Sequence, residues 1–186
     1  NGNVEPANCI FTQCGNYCIY LGAGGDYTFT NCTLFNTWDY GLRLSPALLV
    51  TEKPEKPGVR VSQMDVNLNN SVIYGDNHSE LNIVPLNTII TGNYYFDHCL
   101  IKLDTLNIAF WDNVKFPGTI INKNPLFIDA TMWDLRPDTL SPLINNGSPV
   151  FSALYPTDIR GVSRPLYGNP DIGAFERVPG EHKKEK

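Results

Sequence analysis

The sequence predicts an all-β chain organised as a parallel β-helix, with about four rungs visible and an irregular C-terminal capping segment. Three observations predict it: segments recur at a fixed offset, each recurrence alternates apolar and polar residues with period two, and Gly, Pro and aromatic residues favour strands and turns over helices. NYCIYL at 16–21 returns as DYGLRL at 39–44, and NCIF at 8–11 returns as NCTL at 31–34, both after 23 residues. A unit of three short strands cannot bury its apolar face alone, whereas stacked units enclose a continuous interior.

Each element follows from that register. YTFTNCTL (27–34), VNLNNSVI (66–73) and YYFDHCLI (94–101) are alternating runs broken by one polar residue, Asn31, Asn70 or His98, which predicts a bend between two strands. The pairs Ile19/Leu21, Leu42/Leu44, Leu81/Ile83 and Ala109/Trp111 align as a third strand. Spacings of 23, 39 and 28 residues separate Cys9, Cys32, Ser71 and Cys99, so the units differ in their loops. Like should then stack on like inside: Cys9, Cys32, Ser71 and Cys99 in one column, Phe11, Leu34, Ile73 and Ile101 in a second, and Phe29, Leu68 and Phe96 in a third. Asn8, Asn31 and Asn70 take a structural place at the bend, because Asn tolerates strained dihedrals and bonds neighbouring backbone, with His98 standing in for them in the last unit.

With 186 residues the chain is of single-domain size, but at about 4.8 Å per rung four units make a stub of only about 15–20 Å. The sequence opens on NGNVEPANC, like the middle of a solenoid, and we expect it to pack against upstream rungs of the same protein. Rungs are assigned to 1–114, a capping region laid against the solenoid end to 115–178, and a flexible tail to 179–186. One turn of helix is expected within 148–154, bounded by Pro149 and Pro156. The net charge of -5 disfavours nucleic acid, and no apolar run is long enough for a transmembrane segment. Five cysteines cannot all pair, and their spacing matches no zinc set. The spacing of Cys14 and Cys18 admits a disulfide, but the reading taken is that cysteines in the repeating position act as small hydrophobes.

The C-terminal third carries a resemblance. NPLFIDATMWDLRPDTLSPLINNGSPV (124–150) followed by TDIRGVSRPLYGNPDIGAFE (157–176) resembles the ending of secreted bacterial right-handed parallel β-helix proteins of the Bacteroidetes type, with a pectate-lyase-like fold. This resemblance implies a right-handed, single-stranded parallel β-helix, of which the chain is the C-terminal part, and a secreted, periplasmic or outer cell-surface location. The residues that match the ending, Asp129, Pro142, Gly147, Asp158, Gly161, Arg164, Pro165, Asp171, Gly173 and Glu176, look like turn-formers and a charge network in which Arg164 can fork onto Asp158, Asp171 or Glu176.

For a functional face, the third strand offers two outward columns: Cys18, Gly41, Glu80 and Ile108, then Tyr20, Arg43, Asn82 and Phe110, with Tyr17, Trp38 and Tyr40 beside them. Aromatic rings with polar neighbours suit sugars, whose apolar faces stack while their hydroxyls take directional hydrogen bonds. Tyr20, Arg43, Glu80, Asn82 and Phe110 are the candidate ligand-binding residues, with a polysaccharide as the candidate partner. The segment 45–63 is read as a protruding loop whose charges, Glu52, Lys53, Glu55 and Lys56, form a solvated rim, while Arg43 or Arg60 could meet an acidic sugar. No carboxylate pair spaced for glycoside hydrolysis stands out, and no catalytic residue, metal site or cofactor motif is assigned. The expectation is a non-catalytic structural or carbohydrate-associated module; the alternative is the C-terminal portion of a polysaccharide lyase or glycoside hydrolase whose chemistry lies upstream.

Overall fold

In a computed structural model, residues 2–54, 56–58, 60–86, 90–106 and 114–182 are described. The first rung comprises β1 (Asn3–Val4), β2 (Ile10–Thr12) and β3 (Ile19–Gly22), and the second β4 (Gly25–Thr30), β5 (Thr33–Asn36) and β6 (Leu48–Thr51). The third comprises β7 (Met64–Asn69), β8 (Val72–Gly75) and β9 (Leu81–Val84), and the fourth β10 (Asn93–Asp97) and β11 (Leu100–Ile101). A fifth level, β12 (Val114–Lys115) and β13 (Ile120–Ile121), extends the solenoid into the segment the sequence assigned to the cap. The strands form three parallel sheets, β1-β4-β7-β10-β12, β2-β5-β8-β11-β13 and β3-β6-β9. The expected Ala109/Trp111 strand lies outside the described residues.

The predicted inward columns stack in register. Phe29 pairs with Leu68 and Leu68 with Phe96, while Leu34, Ile73, Ile101 and Ile121 follow one another through β5, β8, β11 and β13. Cys32, Ser71 and Cys99 are fully buried beside them, and Thr119 continues their column, its hydroxyl accepting the Cys99 N–H. The Cys32 N–H likewise donates to the Ser71 hydroxyl. At the bend, Asn8, Asn31, Asn70 and His98 all take φ between 48° and 52°. Their N–H groups donate to Thr30, Asn69, Asp97 and Pro117 carbonyls one rung on, at 2.8–3.0 Å. Gly118 (φ 59°) ends the column, and a Cβ there would lie 2.8 Å from the His98 ring.

The third sheet corrects the sequence register. Ile19, Tyr20 and Leu21 pair with Leu48, Leu49 and Val50, not with residues 42–44. Leu42 and Leu44 are instead 86% and 82% exposed, while Ala47, Leu48 and Val50 are fully buried. The insertion therefore divides into two, 37–47 between β5 and β6 and 52–63 between β6 and β7. The physical reason is burial: ALLV offers an apolar run for the interior, whereas using LRL would have left it outside.

The C-terminal segment differs too, for it runs back along the side of the solenoid. The hairpin β14 (Phe127–Asp129) and β15 (Asp134–Pro137) puts Phe127 and Trp133 against Phe35 on the outer face of β5, at ring separations of 5.2 and 6.3 Å. Leu143 and Ile172 then bury the outward Val72 and Leu100. A single helical turn, α1 (Pro149–Ser152), follows as the sequence suggested. Next the chain reaches the Asn column: Asn70 Nδ2 donates to Ser148 O (2.9 Å), Ser148 N–H to Asn70 Oδ1 (2.7 Å), and Asn8 Nδ2 to Thr157 O (3.0 Å). The apolar outer face of β5, β8 and β11 requires such a cover, while the Asp- and Asn-bearing face of β7 and β10 can meet water. The tail is held at Glu181, which accepts from both Arg136 and Arg160 at 2.7 Å; residues 183–186 lie outside the described residues.

Candidate functional site

The outer face of β3-β6-β9 carries the column Tyr20, Leu49, Asn82, set by strand pairing. Tyr20 and Asn82 are exposed, and the Tyr17 ring lies 5.6 Å from that of Tyr20. Between them Leu49 occupies the place expected for Arg43. Phe110, the fourth candidate of that column, lies outside the described residues, as does Ile108.

Arg43 and Glu80 are not surface residues. Their side chains are 3% and 0% exposed and form a bidentate pair, Nη2 to Oε1 at 2.6 Å and Nη1 to Oε2 at 2.9 Å. Glu80 also accepts the Asn77 and Ala47 N–H groups at 2.8 Å, and Arg43 donates to the carbonyls of Asn36 and Ser45. Burial alone would lower the Arg43 guanidinium, but the hydrogen bonds and charge of Glu80 hold it above its ordinary value. Four acceptor sites on one carboxylate are thus used to fasten the 37–47 insertion to the solenoid. The pair's chemistry is spent on structure.

That fastened insertion shapes the surroundings of the column. Trp38 N–H contacts Asp76, the Trp38 and Tyr40 rings lie 5.1 Å apart, and Tyr40 is 84% exposed. Below Leu44 and Pro46 lies a cleft of about 420 Å3, lined also by His78, Asn82 and Asp104. A neighbouring cleft of about 440 Å3 shares His78 and Asp104 and adds Tyr74, Lys102 and Asn122. Lys102 sits over the Tyr74 ring at 5.1 Å and donates to Gly75 O at 2.7 Å. His78, Leu49 and Asp104 escaped the sequence reading. For Leu49 a signal existed in the ALLV run; for His78 and Asp104, in turns of variable length, there was none.

Glu52, read as a rim charge, is also buried: it accepts the N–H groups of Leu86, Thr91 and Gly92 and the Tyr94 hydroxyl. Burial would raise its carboxyl, but these donors hold it below its ordinary value. Among the described residues no group of three His, Cys, Asp or Glu side chains converges as for a metal ion, and no helix is long and apolar enough to cross a membrane.

Neither the curated proteins nor the solved structures provide a significant match to the chain. Residues 1–111, more than half of the sequence, match the family described as "Right handed beta helix region". With stacked parallel rungs and a left-handed bend column across those residues, the chain belongs to the right-handed β-helix family.

Proposed function

We propose that the chain is a non-catalytic, carbohydrate-associated β-helix module of a secreted or cell-surface protein, and that it holds a polysaccharide against the outer face of β3-β6-β9. The observation that carries this reading is the pair of exposed side chains Tyr20 and Asn82, set either side of the buried Leu49 in one column, with Asn82 lining the 420 Å3 cleft beside Leu44. An aromatic ring offers a stacking surface for a pyranose, Asn82 offers both a donor and an acceptor to hydroxyls, and the cleft has apolar and polar walls. Because the column runs across rungs, a polymer lying along the solenoid axis would meet it repeatedly. The burial of Arg43 in an ion pair favours a neutral glycan over a uronate at this face. The ending that resembles secreted Bacteroidetes proteins of pectate-lyase-like fold fits a secreted, periplasmic or outer-surface location.

The test is retention of the folded chain in gels containing neutral or uronate-rich polysaccharides, with Tyr20→Ala and Asn82→Ala compared at matched thermal stability. Retention by a neutral glycan, weakened in both variants, is the expected result. Release of unsaturated or reducing ends from any of these polymers would replace this reading with the alternative, the C-terminal portion of a polysaccharide lyase or hydrolase. No retention by any polymer would leave a purely structural module.

A further inference from the structure

We propose that the cleft between Tyr74, His78 and Lys102 is an oxyanion subsite, which takes a carboxylate or sulfate substituent carried by an otherwise neutral glycan. The glycan part of this claim rests on the function proposed above, whereas the oxyanion part rests on the cleft alone. Strand pairing builds the floor. Phe35 pairs with Tyr74 on the outer face of β2-β5-β8-β11-β13, and the Lys102 N–H donates to Ile73 O at 2.9 Å, which sets Lys102 beside Tyr74 one rung on. The β14-β15 hairpin covers Phe35 with Phe127 and Trp133. Beyond that cover the column turns polar, and the cleft of about 440 Å3 opens over Tyr74 and Lys102.

The Lys102 ammonium carries the inference. It is half-buried and held twice, by Gly75 O at 2.7 Å and by the Tyr74 ring, whose centre lies 5.1 Å away. Arg43, Arg136, Arg160 and Arg164 each meet an acidic side chain, but among the described residues no carboxylate lies within ion-pair distance of Lys102. A cation held partly out of water is stabilised by a counter-ion. Gly75 O takes one of its three donors, so two remain. The half-buried Tyr74 hydroxyl and the exposed His78 ring line the same cleft, and neither has a hydrogen-bond partner among the described residues. Both groups can donate. His78 is placed by its neighbours, since the Asn77 N–H donates to Glu80 and the Ser79 hydroxyl to Leu81 O, both at 2.8 Å. One fixed cation with two further donors suits an oxyanion, because hydrogen bonds to a charged acceptor are the strong ones.

Asp104 limits what can enter. It is the one acidic residue lining the cleft among the described residues, and its Oδ1 is turned back onto the Leu106 N–H at 3.0 Å. With one carboxylate balancing one ammonium, the lining suits a single anionic substituent and opposes a run of acidic sugars. This agrees with the burial of Arg43, which leaves the neighbouring column without a cation of its own. The two clefts share His78, Leu103 and Asp104, and Asn82 lines the other one. A neutral sugar bonded at Asn82 can therefore direct its substituent towards Lys102.

Two titrations test the proposal. In the first, the folded, isotope-labelled chain receives sodium acetate or sodium sulfate at constant ionic strength, with chloride as the reference, while side-chain NMR signals are followed. Saturable shifts at Lys102, Tyr74 and His78 are expected, lost in Lys102→Met and restored in Lys102→Arg. Shifts at Lys102 no larger than those at the exposed Lys53 and Lys56 would overturn the site. If Lys102→Met does not fold, His78→Ala, in an exposed turn, serves in its place and should weaken the binding; unchanged binding there would count against the site. In the second, a neutral glucan and the same glucan bearing sparse carboxymethyl or sulfate groups are compared by retention in gels. Substitution should tighten retention about tenfold, and Lys102→Met should abolish that gain while leaving the neutral glucan's retention unchanged. Whichever substituent gives the gain identifies the group. Equal retention of all three polymers, or a gain that survives in Lys102→Met, would overturn the glycan part. Saturable anion shifts at Lys102 with no polymer retained would sink the glycan reading and leave the oxyanion site to a free ligand.

Discussion

Arg43 and Glu80 show how a charged side chain can be read correctly as special and wrongly as exposed. Both stood out because a charge interrupts an otherwise apolar alternation, and a charge in a strand is normally outward. Here each supplies what the other's burial demands, with backbone groups of Asn36, Ser45, Ala47 and Asn77 completing the set. Removing one partner leaves an uncompensated buried charge, which costs about 3–5 kcal/mol. We therefore expect Arg43→Ala to lower the unfolding free energy by about that amount, measured by urea denaturation, and Arg43→Met/Glu80→Leu to recover a large part of it. If Arg43→Ala leaves the denaturation midpoint unchanged, the pair does not secure the 37–47 insertion. Asn82→Ala, at an exposed position, should stay within about 0.5 kcal/mol of the wild type, while Tyr20→Ala should cost about 0.5–1.5 kcal/mol through its ring contact with Tyr17, so glycan retention is compared at matched stability.

Among elements, the two sheets flanking the Asn bend were legible in the sequence, as were β3 and β9 of the third sheet, but its middle strand β6 was not. The bend column carries two coupled marks, a residue tolerant of positive φ followed by a small inward residue, so Asn31–Cys32, Asn70–Ser71 and His98–Cys99 fix the register on both sides. The β3-β6-β9 sheet has no such mark, and LRL and ALLV both place apolar residues two apart. What separates them is the continuous run, which suits a strand covered on both faces. The same sign was present in TLF, VIY and LI of β5, β8 and β11, whose outward residues the C-terminal segment covers. A paired substitution tests the third-sheet register: Leu48→Ala should cost about 2–5 kcal/mol through a core cavity, whereas Leu42→Ala and Leu44→Ala should each stay within about 0.5 kcal/mol. Comparable losses at Leu42 would restore the register read from the 23-residue repeat. At the bend itself, Asn70→Gly keeps the left-handed backbone but removes the bonds to Ser148 and Ser152, while Asn70→Ala loses both. Asn70→Ala should therefore be the less stable of the two by about 1 kcal/mol, the steric cost of a Cβ in that region. Equal stabilities would show that the bend stores no strain.

Across the described residues, the segment 138–182 acts as a lateral strap whose far end is fixed by buried charge. Arg164, fully buried, donates to Asn8 Oδ1 in the first rung at 2.9 Å, to Gly173 O at 3.0 Å and to Glu176 at 3.4 Å, while Asp158 and Asp171 accept backbone N–H groups around it. The sequence suggested this network through Arg164 and its three acidic partners, but not that it would lock onto the opposite end of the chain, because contacts across some 150 residues leave no local pattern. Burial, and then the neighbouring Asp171 carboxylate, push Glu176 up to about 8 from an ordinary 4.5. A carboxyl that binds its proton more tightly when folded supports the fold fully below about pH 4.5, progressively less as pH rises, and no longer once pH has passed about 8. The groups facing it are Asp158, Asp171 and Arg164, so its ionisation sets three carboxylates around one guanidinium with only Arg160 and Arg177 at the margin. We expect the strap to loosen first: between pH 6 and 9 at matched chemical exchange rates, amide protection of Ser148, Gly173 and Ala174, which bond Asn70 and Thr33, should fall before that of β7 and β8. Glu176→Gln, which stays neutral, should flatten this dependence. Protection that falls equally in strap and rungs would mean that the two open together, and a Glu176→Gln profile identical to the wild type would assign the titration to another group.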